Sequence, residues 1–237
     1  LDAGDGRFYN GIKSLKDVNP NTHTELFAKI GLSYPYNEYR ATWKMGGQPL
    51  VQRLHDKSHD WEDLKKLIPH MLLEGIMGYP FSCPDMIGGG QFTSFLDDAP
   101  IDQELVVRST QVHALMPMMQ FSVAPWRILD ERHFNAVLGA VNLRNKFKET
   151  ILRLAKKAST NGEPIVRSME YVYPHKGYVD ITDQFMLGNS ILVAPYLSKG
   201  EGSRKVILPK GSWKSDTGKV FKGGNRRSVK KRSTKYF

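Results

Sequence analysis

The chain of 237 residues has a single cysteine, Cys83. One thiol forms no internal disulfide, so cysteine usage neither staples the fold nor decides the redox compartment. No apolar run approaches the roughly 20 residues that a membrane-spanning helix needs. There are no short repeats, and no low-complexity segment apart from a basic end. That end, residues 222–237, has no acid at all and seven basic residues: Lys222, Arg226, Arg227, Lys230, Lys231, Arg232 and Lys235. Setting these seven aside takes the net charge from +10 to +3, which is unremarkable. Such a tail reads as a solvated end, and no nucleic-acid partner is expected. The chain opens at Leu1 without methionine or leader, directly on what reads as a strand, so a piece of a longer protein is expected.

What is present describes an ordinary folded protein, with 40% apolar and 24% charged residues. The length accommodates one large domain, or one domain plus an appendage, with a sizeable core. A turn-rich loop containing Asn19-Pro20-Asn21 precedes a helical stretch over 22–32. Strand-like segments follow at 39–43 and 49–54. Asp60 then reads as the N-cap of a helix, with Glu62 and Asp63 in its first turn. Trp61, Leu64, Leu67, Ile68, Met71 and Leu72 keep a spacing of three and four, one buried stripe, and Pro69 should kink it. A short apolar strand over 78–82, a helix over 102–116, a buried strand over 118–123 and an amphipathic helix over 143–158 complete an alternation that implies a parallel sheet with crossover connections. Beyond about Tyr171 the pattern changes to strands at 190–195 and 205–209 with Gly-rich turns and no helix between them, a small antiparallel β appendage.

Three aspartates punctuate the first part. Asp2, Asp56 and Asp85 each close a short extended segment ahead of a helix-like stretch. Their intervals approximate two and then one β/α units of a (β/α)8 barrel, at roughly 31 residues per unit. All three would then sit on the C-terminal rim, where barrel enzymes keep their chemistry, and facing carboxylates there suit acid/base cleavage of a sugar acetal. About five such units precede residue 172, where a closed barrel needs eight. The expected organisation is therefore α/β: the second half of a (β/α)8 barrel over 1–172, then a C-terminal β domain with the basic tail over 173–237.

Other motifs invite other chemistry. His55-Asp56-Lys57-Ser58-His59 imitates a zinc-protease pattern, but that pattern works on a helix, and the helix here starts near Asp60. The histidines read instead as polar loop residues around one functional carboxylate. Gly88-Gly89-Gly90 lacks the Lys-Ser/Thr of a phosphate loop and reads as a tight turn. Cys83 reads as a buried inert thiol. Trp61, Trp43 and Trp126 are either core residues or sugar-stacking platforms near the rim.

The stretch Gly78-Tyr79-Pro80-Phe81-Ser82-Cys83-Pro84-Asp85-Met86-Ile87-Gly88-Gly89 resembles the seventh-strand signature of glycoside hydrolase family 31. Gly162-Glu163-Pro164-Ile165-Val166-Arg167, Asp183-Gln184-Phe185-Met186-Leu187-Gly188 and Leu192-Val193-Ala194-Pro195 are similar to its segments at the barrel exit and the following β domain. The resemblance covers residues 1–221. It implies a retaining α-glycosidase, with Asp2 as nucleophile ending strand four, Asp56 as acid/base ending strand six, and Asp85 on strand seven binding sugar hydroxyls. Arg53-Leu54-His55-Asp56-Lys57 departs from the Trp-x-Gly-Asp-Asn of the family's α-glucosidases, and 117–122 lacks their Arg and His. Those departures resemble an α-galactosidase-like branch, in which Arg40 matches an arginine near the active site. Arg40, Arg53, Trp61 and Asp85 are thus the candidate substrate-binding residues, and a terminal α-linked sugar of an oligosaccharide or glycoconjugate is the implied substrate. α-Glucosidase or α-xylosidase activity, or a carbohydrate-binding fragment without turnover, are the alternatives. No metal or organic cofactor is expected, and the resemblance favours the secretory pathway or extracellular space.

Overall fold

A computed structural model describes residues 6–90, 101–200, 202–224, 226–230 and 235–236. After a 3₁₀ turn (Gly6–Tyr9), α1 spans Pro20–Gly31. Its start is dictated locally: Asn19 accepts the Thr22 N–H at 2.9 Å, and Pro20 occupies the first turn, where its missing N–H costs nothing. Three short strands then lie side by side in parallel, β1 (Glu38–Tyr39), β2 (Val51–Arg53) and β3 (Ser82–Cys83), with Glu38 opposite Val51 and Arg53 opposite Cys83. A parallel bridge between Ile87 and Phe121 adds one further line to this side. The strand expected over 118–123 is no more than that bridge; Pro117 and Pro125 bracket it and supply no N–H to a ladder. The strand expected over 39–43 ends at Tyr39.

α2 (Trp61–Ile76) connects β2 to β3 and runs through Pro69 unbroken. α3 (Gln103–His113), the one-turn α4 (Pro125–Ile128) and the 31-residue α5 (Glu131–Asn161) follow. The apolar stripe of α2 packs against Leu105 and Val112 of α3 and Ile151, Leu154 and Ala158 of α5. Arg144 of α5 donates to the carbonyls of Met116 and Pro117 at 2.7 and 2.8 Å, fixing the chain just after α3. Gly162, at φ 71°, ends α5 in the left-handed conformation that glycine adopts without penalty.

The second unit is antiparallel throughout. β4 (Val166–Arg167), β5 (Phe185–Leu187), β6 (Ile191–Ala194) and β11 (Lys235–Tyr236) form one sheet in the order β11-β6-β5-β4, and the one-turn α6 (Met169–Val172) follows β4. β7 (Ser203–Ile207) pairs with β10 (Arg226–Lys230), and β8 (Ser212–Lys214) with β9 (Val220–Lys222). This sheet begins at Val166, ahead of Tyr171, beyond which the sequence pattern changes. β4 is two residues long and follows directly on a helix, too short to announce itself by periodicity.

The parallel strands are strongly curled. Gln120 Nε2 donates to Glu38 Oε2 at 2.6 Å, although residue 120 lies three strand positions from β1. In a flat sheet that offset is about 14 Å at the usual strand spacing. Two side chains bridge it only because the sheet bends toward its concave face, which gathers the strand ends.

Candidate active site

The ends of β2 and β3 present Arg53, Asp56 and Asp85 to one another. Arg53 Nη1 lies 2.6 Å from Asp85 Oδ1 and 3.4 Å from Asp56 Oδ1, while its Nε is 3.5 Å from Glu38 Oε1. One buried guanidinium thus faces three carboxylates from three successive strands. Burial pulls the Arg53 guanidinium down, but Asp85, Asp56 and Glu38 together hold it above its ordinary value. Arg40, just beyond β1, reaches Asp56 Oδ2. The Asp56 side chain stays 26% exposed, whereas that of Asp85 is fully buried. Of the candidate residues, Arg40, Arg53, Asp56 and Asp85 therefore come together. Asp2 lies outside the described residues.

Trp61 stands apart from this cluster in its bonding. Its indole N–H donates to Asp102 at 3.1 Å, and its ring packs at the margin of the α2–α3–α5 core. Trp43 and Trp126 are exposed. The His55 and His70 rings meet at a tilt, 5.5 Å between centres, and among the described residues no group of three or more His, Cys, Asp or Glu is placed to hold a metal ion. Burial pushes the Cys83 thiol up to about 12.

Four contributors escape a reading of residue types alone. Glu38 and Gln120 complete the acidic ring through the 2.6 Å bond described above. Gly90 closes over the cluster: its N–H donates to the Lys57 carbonyl at 3.2 Å, and a Cβ there would meet Asp56 Oδ1 at 2.7 Å and Asp85 Oδ2 at 2.8 Å. Lys57 is buried, its backbone N–H donates to Asp85 Oδ2 at 3.0 Å, and burial brings its ammonium down to about 8. Lysine beside a carboxylate pair gives no periodic signal; what marked it was only its place after Asp56.

Residues 162–236 match the family model of the glycosyl hydrolase family 31 C-terminal domain. The myogenesis-regulating glycosidase of Mus musculus is 38% identical over 177 residues, which is 71% of this chain and 25% of that protein. The SITS-binding protein of Tetronarce californica is 33% identical over 183 residues, 74% of this chain and 26% of that protein. The chain thus spans about a quarter of the length of these curated relatives. In fold it is similar to the cycloalternan-degrading enzyme from Trueperella pyogenes, with a TM-score of 0.81 at 17% identity over 99% of this chain and 36% of that one. With the C-terminal domain matched over 162–236 and relatives of 33–38% identity, the chain belongs to glycoside hydrolase family 31.

Proposed function

We propose that this chain supplies the acid/base half of a retaining α-glycosidase acting on a terminal α-linked sugar, an α-galactoside. The observation that carries the reading is the meeting of Arg40, Arg53, Asp56 and Asp85 at the ends of adjacent parallel strands. The curl of those strands supports reading 1–172 as the second half of a (β/α)8 barrel with this cluster on its C-terminal rim, and 173–237 as the β domain that follows. Family membership and a myogenesis-regulating glycosidase as relative support a glycoside as substrate, and the departures at 53–57 and 117–122 are what favour an α-galactoside.

In this mechanism Asp2 attacks the anomeric carbon while Asp56 protonates the leaving oxygen. Asp56 then takes a proton from water, which attacks the glycosyl–Asp2 ester and releases the sugar with retained configuration. Asp56 Oδ1 touches Arg53 only at 3.4 Å, so it is the oxygen better able to turn toward a leaving group. Asp85, held by Arg53 and the Lys57 N–H, accepts from sugar hydroxyls.

The test is Asp56→Asn in the full-length protein. On an aryl α-galactoside with a poor leaving group, kcat/KM should fall by about 10²–10⁴ with an unchanged melting temperature. With a dinitrophenyl leaving group, which needs no proton, the first step should be largely spared. Wild-type rates on both substrates refute the assignment. A second reading, carbohydrate binding without turnover, is favoured by the Arg40 pairing that occupies Asp56 Oδ2; sugar binding with no hydrolysis by the full-length protein would establish it.

A further inference from the structure

Three groups surround the Lys57 ammonium. Nζ lies 3.0 Å from the Pro84 carbonyl, 2.9 Å from the Met86 carbonyl and 3.4 Å from His113 Nε2. The ring of His113 is held on both sides by backbone carbonyls. Nδ1 sits 2.7 Å from the Ser109 carbonyl, a distance that requires an N–H there, and burial brings His113 down to about 3, so the ring is neutral. Nε2 lies 3.1 Å from the Asp85 carbonyl oxygen and 3.4 Å from Lys57 Nζ, so the ring packs against both the turn and the ammonium.

The two carbonyls that Lys57 holds flank Asp85, and Asp85 itself is in the left-handed region at φ 63°. A non-glycine residue there is strained by about 1 kcal/mol or more and persists only where its surroundings fix it. The same lysine supplies the fixing from three directions: side chain to the residues before and after, backbone N–H to Asp85 Oδ2, and backbone carbonyl to Gly90. We infer that Lys57, backed by His113, is the positioning residue that holds the Asp85 carboxylate in its strained turn, aimed at the bound sugar. This rests on the glycosidase reading above. Lys57 faces Asp85, Arg53 and Cys83 on the strands, His59 and Asp63 at the start of α2, and His113 on α3.

Lys57→Met in the full-length protein keeps the length and removes the charge. On an aryl α-glycoside that the wild type hydrolyses, KM should rise about tenfold while kcat falls by less, because Asp85 binds hydroxyls rather than moving a proton. An unchanged KM overturns the inference. If the variant does not fold, the wild type decides: KM should climb as pH rises through about 8, where the ammonium is lost. A KM flat from pH 6.5 to 9.5 overturns it as well. Should the wild type hydrolyse no aryl α-glycoside, the glycosidase reading fails, and the clamp is read separately from the ¹⁵N shifts of His113. The Nε2 resonance should move between pH 7 and 9.5 as the neighbouring ammonium loses its proton; an Nε2 shift constant over that range overturns it.

Discussion

A methyl group on Gly90 would stand 2.7 Å from Asp56 Oδ1, 2.8 Å from Asp85 Oδ2 and 2.9 Å from Asp56 Cα, closer than real Cβ atoms come. Both carboxylates would have to move. Gly90→Ala should therefore lower kcat/KM by about tenfold or more while costing about 1–3 kcal/mol of stability, measured by kinetics and denaturation on one preparation. Glu74 presents a different case. Its carboxyl faces a groove with Thr24, Gln52 and Tyr79, Oε2 is buried without a hydrogen-bond partner, and burial pushes it up to about 9. Its folded-state value lies above the unfolded one, so its contribution is fully present below about pH 4.5 and is lost as pH rises toward 9. Glu74→Gln should stabilise the protein at pH 7 by on the order of 1–3 kcal/mol and flatten the fall in stability between pH 5 and 9, both read from denaturant titrations. At this scale the spacing of strand-end aspartates makes Asp56 and Asp85 visible, whereas Arg53 and Arg40 come from the family resemblance. Lys57, His113 and Gln120 stayed hidden because their partners lie 28, 28 and 82 positions away, and nothing local records such pairs.

Helix starts were the most legible elements, because a cap is a local interaction. Asp60 accepts the Asp63 N–H at 2.8 Å and Asp102 the Leu105 N–H at 3.2 Å, and both starts are legible; Asp130 caps α5 in the same way but lies outside the helix expected over 143–158. Asp60→Ala should cost about 1 kcal/mol by thermal or denaturant unfolding. Because α2 begins just after the Asp56 loop, with Asp63 accepting from the Ser58 N–H at 2.7 Å, a small rise in KM should accompany that loss. α5 illustrates the opposite limit. The apolar spacing over 143–158 marks its C-terminal half, yet the helix starts at Glu131. Its first three turns bury only Val137 and Ala140 of that span, so the stripe is too thin to read, and packing rather than pattern extends the helix. The strands suffered most. Two or three residues of β1, β2 and β3 are fixed by parallel neighbours tens of positions away, and period-two alternation has no room to appear in them.

The molecule as a whole is joined through the sheet of β4, β5 and β6, which is buried on both faces. Successive residues of β5 and β6 alternate between two cores: Phe185, Leu187 and Val193 pack with Leu67, Met71 and Leu154 of the helical layer, while Met186, Leu192 and Ala194 pack with Val206, Leu208 and Trp213. A strand that feeds two cores cannot release one without disturbing the other. The parallel part carrying Asp56 and Asp85 and the antiparallel part matched by the family model should accordingly unfold together. Trp61 packs at the margin of the first core and Trp213 lies in the second, so each reports its own side. Phe185→Ala opens a cavity at a fully buried position facing the helices and should cost about 3–5 kcal/mol. In that variant, fluorescence of proteins retaining only Trp61 or only Trp213 should shift to lower denaturant by the same amount, with coincident midpoints. Separate midpoints, with the Trp213 transition unmoved, would mean that the second unit folds independently and that the two-faced sheet does not couple them.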